Sequence, residues 1–294
     1  MRLAAIDIGS NALRLIVKEI SGNPGKPSVS KVAHMRVPIR LGEDVFTQGA
    51  IGEEKEERLA HALQGFSSMM KAMGVKAFRA CATSAMREAS NGKAVADRLR
   101  NSTGVEVELI DGQTEADLIF SNFEVSLFDR QMDYLYIDVG GGSTELTLIR
   151  RGERLEGRSF KIGSVRLLED QVNSQVWEKM ERWCRALSLE HGVAEPIAIG
   201  AGGNINRLFK LAGCLSGDLL AFDKLASVVE VLKRCTYEER MSRFQLKPDR
   251  ADVVVPAGRI YLKAMEFAGA KGMQVPKVGL ADGIILGLYS ATKG

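Results

Sequence analysis

The stretch Ala5-Ile6-Asp7-Ile8-Gly9-Ser10-Asn11 decides the reading of this chain, because it returns as Tyr136-Ile137-Asp138-Val139-Gly140-Gly141-Gly142. In each copy an apolar run reaches an aspartate and then a glycine turn. Alternating residues follow: Leu13, Leu15 and Val17 in the first copy, Leu146 and Leu148 in the second. Alternation at period two marks a strand, so each copy reads as a β-hairpin whose tight turn lies just beyond the aspartate. Self-similarity at this range predicts two related domains. Two unrelated hairpins sharing a common strand-Asp-Gly opening are the other reading of so few matched positions. The composition turns polar near Leu127 to Asp133, which sets the boundary there, with domains at 1–127 and 128–294.

Working outward, residues 52–74 carry Leu59, Leu63, Phe66, Met70 and Met73 at helical spacing, with Gly74 as the stop. A strand is expected around Phe78 to Ala82, a helix through Ala94, Val95 and Leu99, and a strand through Val105, Val107 and Leu109. A second amphipathic helix follows Asp111-Gly112 and bears Ala116, Ile119, Phe120 and Phe123. A third glycine cluster, Gly200-Ala201-Gly202-Gly203, lies between the apolar run at 197–199 and a helical pattern at 204–211, for which Asn204 is the expected N-cap. Residues 222–235 and 257–268 are helical by pattern, and Gly279 to Tyr289 reads as a buried helix.

Composition bounds the function. The 294 residues, 45% hydrophobic and 26% charged, describe a globular chain with no disordered or collagen-like character. A net charge of +3 supplies no general field for nucleic acid or an acidic membrane. Cys81, Cys184, Cys214 and Cys235 are widely separated, which argues against a zinc ribbon or disulfide framework and fits a reducing cytoplasm. No signal-peptide core or membrane-length apolar run is found. His34, His61 and His191 are isolated, so histidine metal centres and Ser-His-Asp triads have little support.

The chemistry lies in the turns. Glycines at a strand end let successive backbone N–H groups approach an anion, and phosphate is the natural guest. An aspartate before each turn adds the carboxylates that a divalent cation on a phosphate needs, and Mg²⁺ is the expected metal. The turn at 140–144 leads into a strand, so it is not a dinucleotide fingerprint, and it lacks the Gly-Lys-Ser/Thr ending of a Walker A loop. Glu115 is sufficiently explained by the helix dipole, worth about 0.3 to 1 kcal/mol. Its functional alternative is a carboxylate that orients a water for attack on a terminal phosphorus. Arg87 lies in a small, polar stretch where backbone can approach a ligand, though a solvated arginine is the ordinary reading. Arg150, Arg151, Arg154, Arg158, Lys161 and Arg166 form a basic run that reads as a solvated face or as a channel for a polyanion.

The whole set resembles the exopolyphosphatase and guanosine pentaphosphate phosphohydrolase family. It comprises Ala5 to Asn11 with Arg14-Leu15, Arg40-Leu41-Gly42, Ala82 to Ala89 with Asn91, Ile110 to Ala116, Asp138 to Glu145, and Arg250-Ala251-Asp252 with Pro256-Ala257-Gly258. The matches run in family order along nearly the whole chain. The resemblance implies an α/β fold of duplicated ribonuclease H-like domains, as in acetate and sugar kinases, heat-shock chaperones and actin, with the active site in an interdomain cleft. A C-terminal helix at about 282–294 is expected to pack back on the first domain. The implied activity is Mg²⁺-dependent release of terminal orthophosphate from polyphosphate or guanosine pentaphosphate. Glu115 would direct the water, with Asp138 and Glu145 serving the metal and nearby water and Asp7 assisting at the metal from the first domain. Ser10, Asn11, Arg14, Arg87, Gly140, Gly141, Gly142, Ser143, Thr144, Gly202 and Gly203 would meet the phosphates. Exposed helices leave room for a homodimer.

Departures from the family pattern bear on substrate preference. Ala12 stands where a serine is common, Asn204 where a threonine is common, and Ala281 lies where an Arg-Glu pair is common. No His-Asp dipeptide occurs, so the helical accessory region of longer relatives is not expected. An ATP-dependent small-molecule kinase on the same fold and a non-catalytic nucleotide- or polyphosphate-binding module are the competing classes.

Overall fold

The computed structural model describes residues 1–21, 28–121, 129, 131–276 and 279–292. The chain packs as two units, Met1–Val125 with Gly279–Gly294, and Ser126–Val278. Phe123 and the boundary at residues 127–128 fall outside the described residues.

The first unit contains β1 (Arg2–Ile8), β2 (Leu13–Ser21), β3 (Ser28–Val37), α1 (Leu41–Gln48), α2 (Glu53–Ala72), β4 (Ala77–Ala82), α3 (Ser84–Glu88), α4 (Gly92–Thr103), β5 (Val107–Leu109) and α5 (Gly112–Phe120). Its sheet has the order β3-β2-β1-β4-β5. The first three strands are antiparallel neighbours, while β1–β4 and β4–β5 are parallel. Parallel pairing needs helical crossovers, which α1 to α4 supply. Leu59, Leu63, Phe66 and Met70 of α2 are buried as their spacing predicts. Gly74, with φ of +65°, follows the end of that helix.

The second unit contains β6 (Asp133–Val139), β7 (Thr144–Arg150), β8 (Glu153–Phe160), α6 (Ser164–Leu168), α7 (Ser174–His191), β9 (Ile197–Ala201), α8 (Gly203–Leu211), β10 (Leu220–Ala221), α9 (Phe222–Arg234), α10 (Tyr237–Phe244), α11 (Pro248–Ala251), α12 (Val254–Ala268) and β11 (Gly272–Gln274). Its sheet reads β8-β7-β6-β9-β11-β10. The first five strands repeat the order of the first unit, and β10 adds an antiparallel edge. The echo in the sequence is therefore an echo in topology: the fold is α/β, with duplicated ribonuclease H-like sheets. Leu135, Ile137, Leu146 and Leu148 form one sheet face against Met180, Trp183 and Leu187 of α7 and Ile260 and Ala264 of α12. Each fully buried Leu or Ile contributes roughly 1.5–3 kcal/mol.

The chain returns to the first unit through α13 (Leu280–Ala291). Ile284 and Ile285 are buried, and a methyl on Gly283 would lie 1.7 Å from the Leu118 carbonyl oxygen, so α13 and α5 touch backbone to backbone. Lys18 of β2 pairs with Asp282 at 2.5 Å. One expectation fails: Asn204 is not an N-cap. Gly202 holds that position with φ of +103°, which glycine adopts without strain, and Asn204 lies inside the first turn. Among the described residues no helix is long and apolar enough to cross a membrane.

Candidate active site

In open α/β sheets, ligands bind beyond the carboxyl ends of the strands. In the first unit, those ends belong to β1, β4 and β5. Asp7 is the penultimate residue of β1, opposite Arg14 of β2, and the Arg14 guanidinium donates to Asp7 Oδ2 at 2.7 Å. The turn is closed by Gly9 N–H on the Ala12 carbonyl at 3.1 Å. Buried Ser10 bonds Ser84 Oγ at 2.9 Å, joining the turn after β1 to the helix after β4. Asn11 is half-buried in the same turn.

Arg87 is not a solvated arginine. Its guanidinium donates to the Ile110 carbonyl at 2.7 Å and stands 3.9 Å from Glu115. Glu115 lies in the first turn of α5, where the Asp111 side chain caps the Thr114 N–H at 2.7 Å, and it is buried to 9% exposure. The capping bond holds the Asp111 carboxyl below the usual range. Its surroundings thus combine the N-terminus of α5 with the Arg87 guanidinium. Cys81 of β4 is in register with Asp7, and burial, with Asp7 and Glu115 among the nearby charges, pushes its thiol up to about 12. Burial of this kind disfavours the thiolate that a nucleophilic cysteine needs.

In the second unit the strand ends are those of β6, β9 and β11, and the residues of interest follow the first two. Asp138 lies opposite Glu145 across the hairpin and in register with Ala201 of β9. Gly140 N–H bonds the Ser143 carbonyl at 3.0 Å, repeating the closure of the first hairpin. Glu145 Oε1 accepts from Ser143 Oγ at 2.7 Å and from Ser159 Oγ at 2.9 Å, which fixes its orientation. Thr144 donates its hydroxyl to the Ile162 carbonyl at 2.5 Å, so that side chain is structural. Gly202 follows β9, and a methyl there would lie 3.4 Å from Asp138 Oδ1. The Arg250 guanidinium donates to the Gly203 carbonyl and packs on that glycine.

Tyr261 ties the two strand ends together. Its hydroxyl donates to the Ala201 carbonyl and accepts from Val139 N–H at 3.4 Å. Full burial, and then the Asp138 charge, raise its pKa well above the ordinary value. Sequence reasoning missed this residue and Ser159, since a tyrosine in an apolar helix and a serine in a strand carry no local signal. Arg250 and Ser84 sit in quoted motifs without an assigned role.

The basic run does not form one face. Arg158 is opposite core residue Leu146 and lies 5.8 Å over the Phe160 ring, on the α7 side of the sheet, whereas Ser159 meets Glu145 on the other side. Arg150 pairs with Asp133 and donates to the His191 carbonyl. Arg166 is buried and donates to the Gly142 carbonyl at 2.8 Å. Of this run, Arg150 and Arg166 are engaged in bonds within the second unit, while Arg151, Arg158 and Lys161 are exposed.

Residues 16–291 match the model of the Ppx/GppA phosphatase family. The chain belongs to this family. Exopolyphosphatase 2 of Mycobacterium tuberculosis is 28% identical, over 98% of this chain and 98% of that protein. The crystal structure of the Ppx/GppA member from Aquifex aeolicus is 25% identical, with a TM-score of 0.77 over 100% of this chain and 99% of that one. An exopolyphosphatase from Cytophaga hutchinsonii, 24% identical over 99% and 98% of the two chains, has the same fold at a TM-score of 0.83. The duplicated hairpins described above are thus set in a chain of the Ppx/GppA type along nearly its full length.

Proposed function

We propose that this chain is an exopolyphosphatase-type hydrolase that releases terminal orthophosphate from inorganic polyphosphate, with guanosine pentaphosphate as a second substrate. The observation that carries the reading is the second hairpin, where two carboxylates stand opposite each other beside a glycine turn, in a chain of the Ppx/GppA family. The name of the mycobacterial relative supports polyphosphate as substrate.

Phosphoryl transfer to water needs positioning and charge stabilisation rather than a covalent nucleophile. In this reading Glu115 orients the attacking water and accepts its proton, and Arg87, 3.9 Å away, holds that carboxylate and meets phosphate oxygens. Asn11, Arg14 and the main chain of residues 140–144, 202 and 203 hold the phosphates. Asp138 and Glu145 form a hard-oxygen donor pair of the kind Mg²⁺ prefers, with Glu145 pre-oriented by two hydroxyls. Asp7, already bonded to Arg14, contributes mainly by fixing that guanidinium. When bound, Mg²⁺ would neutralise phosphate charge.

The test is orthophosphate release from long-chain polyphosphate and from guanosine pentaphosphate, with Mg²⁺ or EDTA, in wild type, Glu115→Ala and Asp138→Ala. Metal-dependent release that falls at least about 10²-fold in both variants is expected. Undiminished release by Glu115→Ala would remove the water-directing role. ATP consumption that requires an added acceptor, without release from polyphosphate, would instead identify a kinase.

A further inference from the structure

We propose that Gly163-Ser164-Val165-Arg166 is a template that presets the glycine turn for an anion, and that Arg166 is the positioning residue that completes it. The inference rests on the reading of residues 140–144 as a phosphate-binding turn. Ser164 N–H donates to the Gly140 carbonyl at 2.9 Å, and its hydroxyl reaches the same oxygen at 3.2 Å. Val165 and Arg166 N–H groups donate to the Gly141 carbonyl at 2.9 and 3.0 Å, and Arg166 Nε donates to the Gly142 carbonyl at 2.8 Å. All three glycine carbonyls are therefore drawn toward α6.

A trans peptide is planar, so its C=O and N–H point in opposite directions. Drawing the carbonyls of Gly140, Gly141 and Gly142 toward α6 turns the N–H groups of Gly141, Gly142 and Ser143 the other way. Three successive N–H groups on one side form an anion nest. The first N–H groups of α6 are consumed in this bonding, so the short helix is a support and not itself a binding site.

Two features make the template specific. Arg166 is 8% exposed, and arginine is seldom buried unless its head is bonded; here one bond goes to the Gly142 carbonyl. A charged donor on that carbonyl polarises the Gly142–Ser143 peptide and strengthens its N–H as a donor. Gly163 supplies the close approach: a methyl there would lie 2.3 Å from the Gly141 oxygen and 2.4 Å from Gly142 N, both backbone atoms. Only glycine lets α6 begin so near the turn.

The experiment uses imidodiphosphate, a nitrogen-bridged pyrophosphate analogue. It is titrated calorimetrically into wild type, Arg166→Met, Arg166→Gln and Ser164→Ala, alongside KM and kcat for orthophosphate release from polyphosphate. Arg166→Met is expected to weaken imidodiphosphate on the order of tenfold. KM should rise by a similar factor with kcat within about twofold, because a nest that holds ground and transition states alike affects binding alone. Arg166→Gln, which keeps an N–H donor, should recover part of the loss. Unchanged affinity and KM in folded Arg166→Met overturn the proposal, as does a loss confined to kcat. If Arg166→Met does not fold, Ser164→Ala carries the same test with an expected loss of about threefold, and unchanged affinity there overturns the proposal. Wild type that binds imidodiphosphate with this dependence but releases no orthophosphate counts against the hydrolase reading and leaves the template standing. Wild type that releases orthophosphate while the variants bind normally does the reverse.

Discussion

Across β1–β2 the register sets Asp7 opposite Arg14, and across β6–β7 it sets Asp138 opposite Glu145. The backbones agree to the closing hydrogen bond, 3.1 Å in one turn and 3.0 Å in the other. The partners differ in sign. In the first hairpin an ion pair satisfies the aspartate. In the second, two acidic residues directly opposite repel, which by itself destabilises a strand pair. Hydroxyls from Ser143 and Ser159 offset part of that cost at Glu145. A duplicated scaffold can thus keep its geometry while one substitution turns an ion pair into a pair of carboxylates.

The sharpest attack on this comparison is Glu145→Arg, which gives the second hairpin the pairing of the first. Orthophosphate release should fall by about 10³-fold or more, as expected when a preorganised charge is inverted, while circular dichroism stays native. Retention of a tenth of the activity would mean the two hairpins are equivalent in chemistry. Arg14→Met probes the other copy. Asp7, at 5% exposure, loses its guanidinium, and denaturant unfolding should report a loss of about 1–3 kcal/mol, moderated because Arg14 is partly exposed. An unchanged midpoint would show that the pair is not structural. Tyr261→Phe removes the link between the strand ends of the second unit alone and should cost about 1 kcal/mol.

A separate effect concerns pH. Burial first of all pushes the thiols of Cys81 and Cys184 up to about 12 from an ordinary value of 9.0. Above the ordinary value the unfolded chain releases protons that the native state keeps, so stability falls as pH rises between them. Each thiol contributes up to about 1.4 kcal/mol per pH unit in that window. Unfolding midpoints at pH 9 and pH 10.5 should differ in that direction, and the Cys81→Ala, Cys184→Ala double variant should flatten the slope.

The hairpins were legible because strand period, aspartate and turn glycines are local signals. The helices at 53–72, 222–234 and 254–268 were legible because their apolar stripes are regular. β3 was not, since most of its residues are exposed and show no alternation. α7 went unassigned although Met180, Trp183, Cys184 and Leu187 keep helical spacing, because charged residues fill the rest of the segment. Asn204 misled as a cap because the positive φ at Gly202 starts the helix earlier. For the candidate site, residue types were readable and partners were not. Arg166 reads as one more basic residue until long-range register brings it to the Gly142 carbonyl, and Tyr261 gains meaning only between two strands.

The return of the chain in α13 has a consequence for biosynthesis. The second unit is one continuous segment, residues 126–278, whereas the first is written in two pieces. The second unit can therefore fold from one uninterrupted stretch, whereas the first needs residues 280–291, which are synthesised after the whole of the second. Because α13 lies against α5, the helix that carries Glu115, the water-directing residue proposed above would be secured last. A premature stop near residue 278 would then yield a product that keeps the second hairpin intact and lacks the support beneath Glu115.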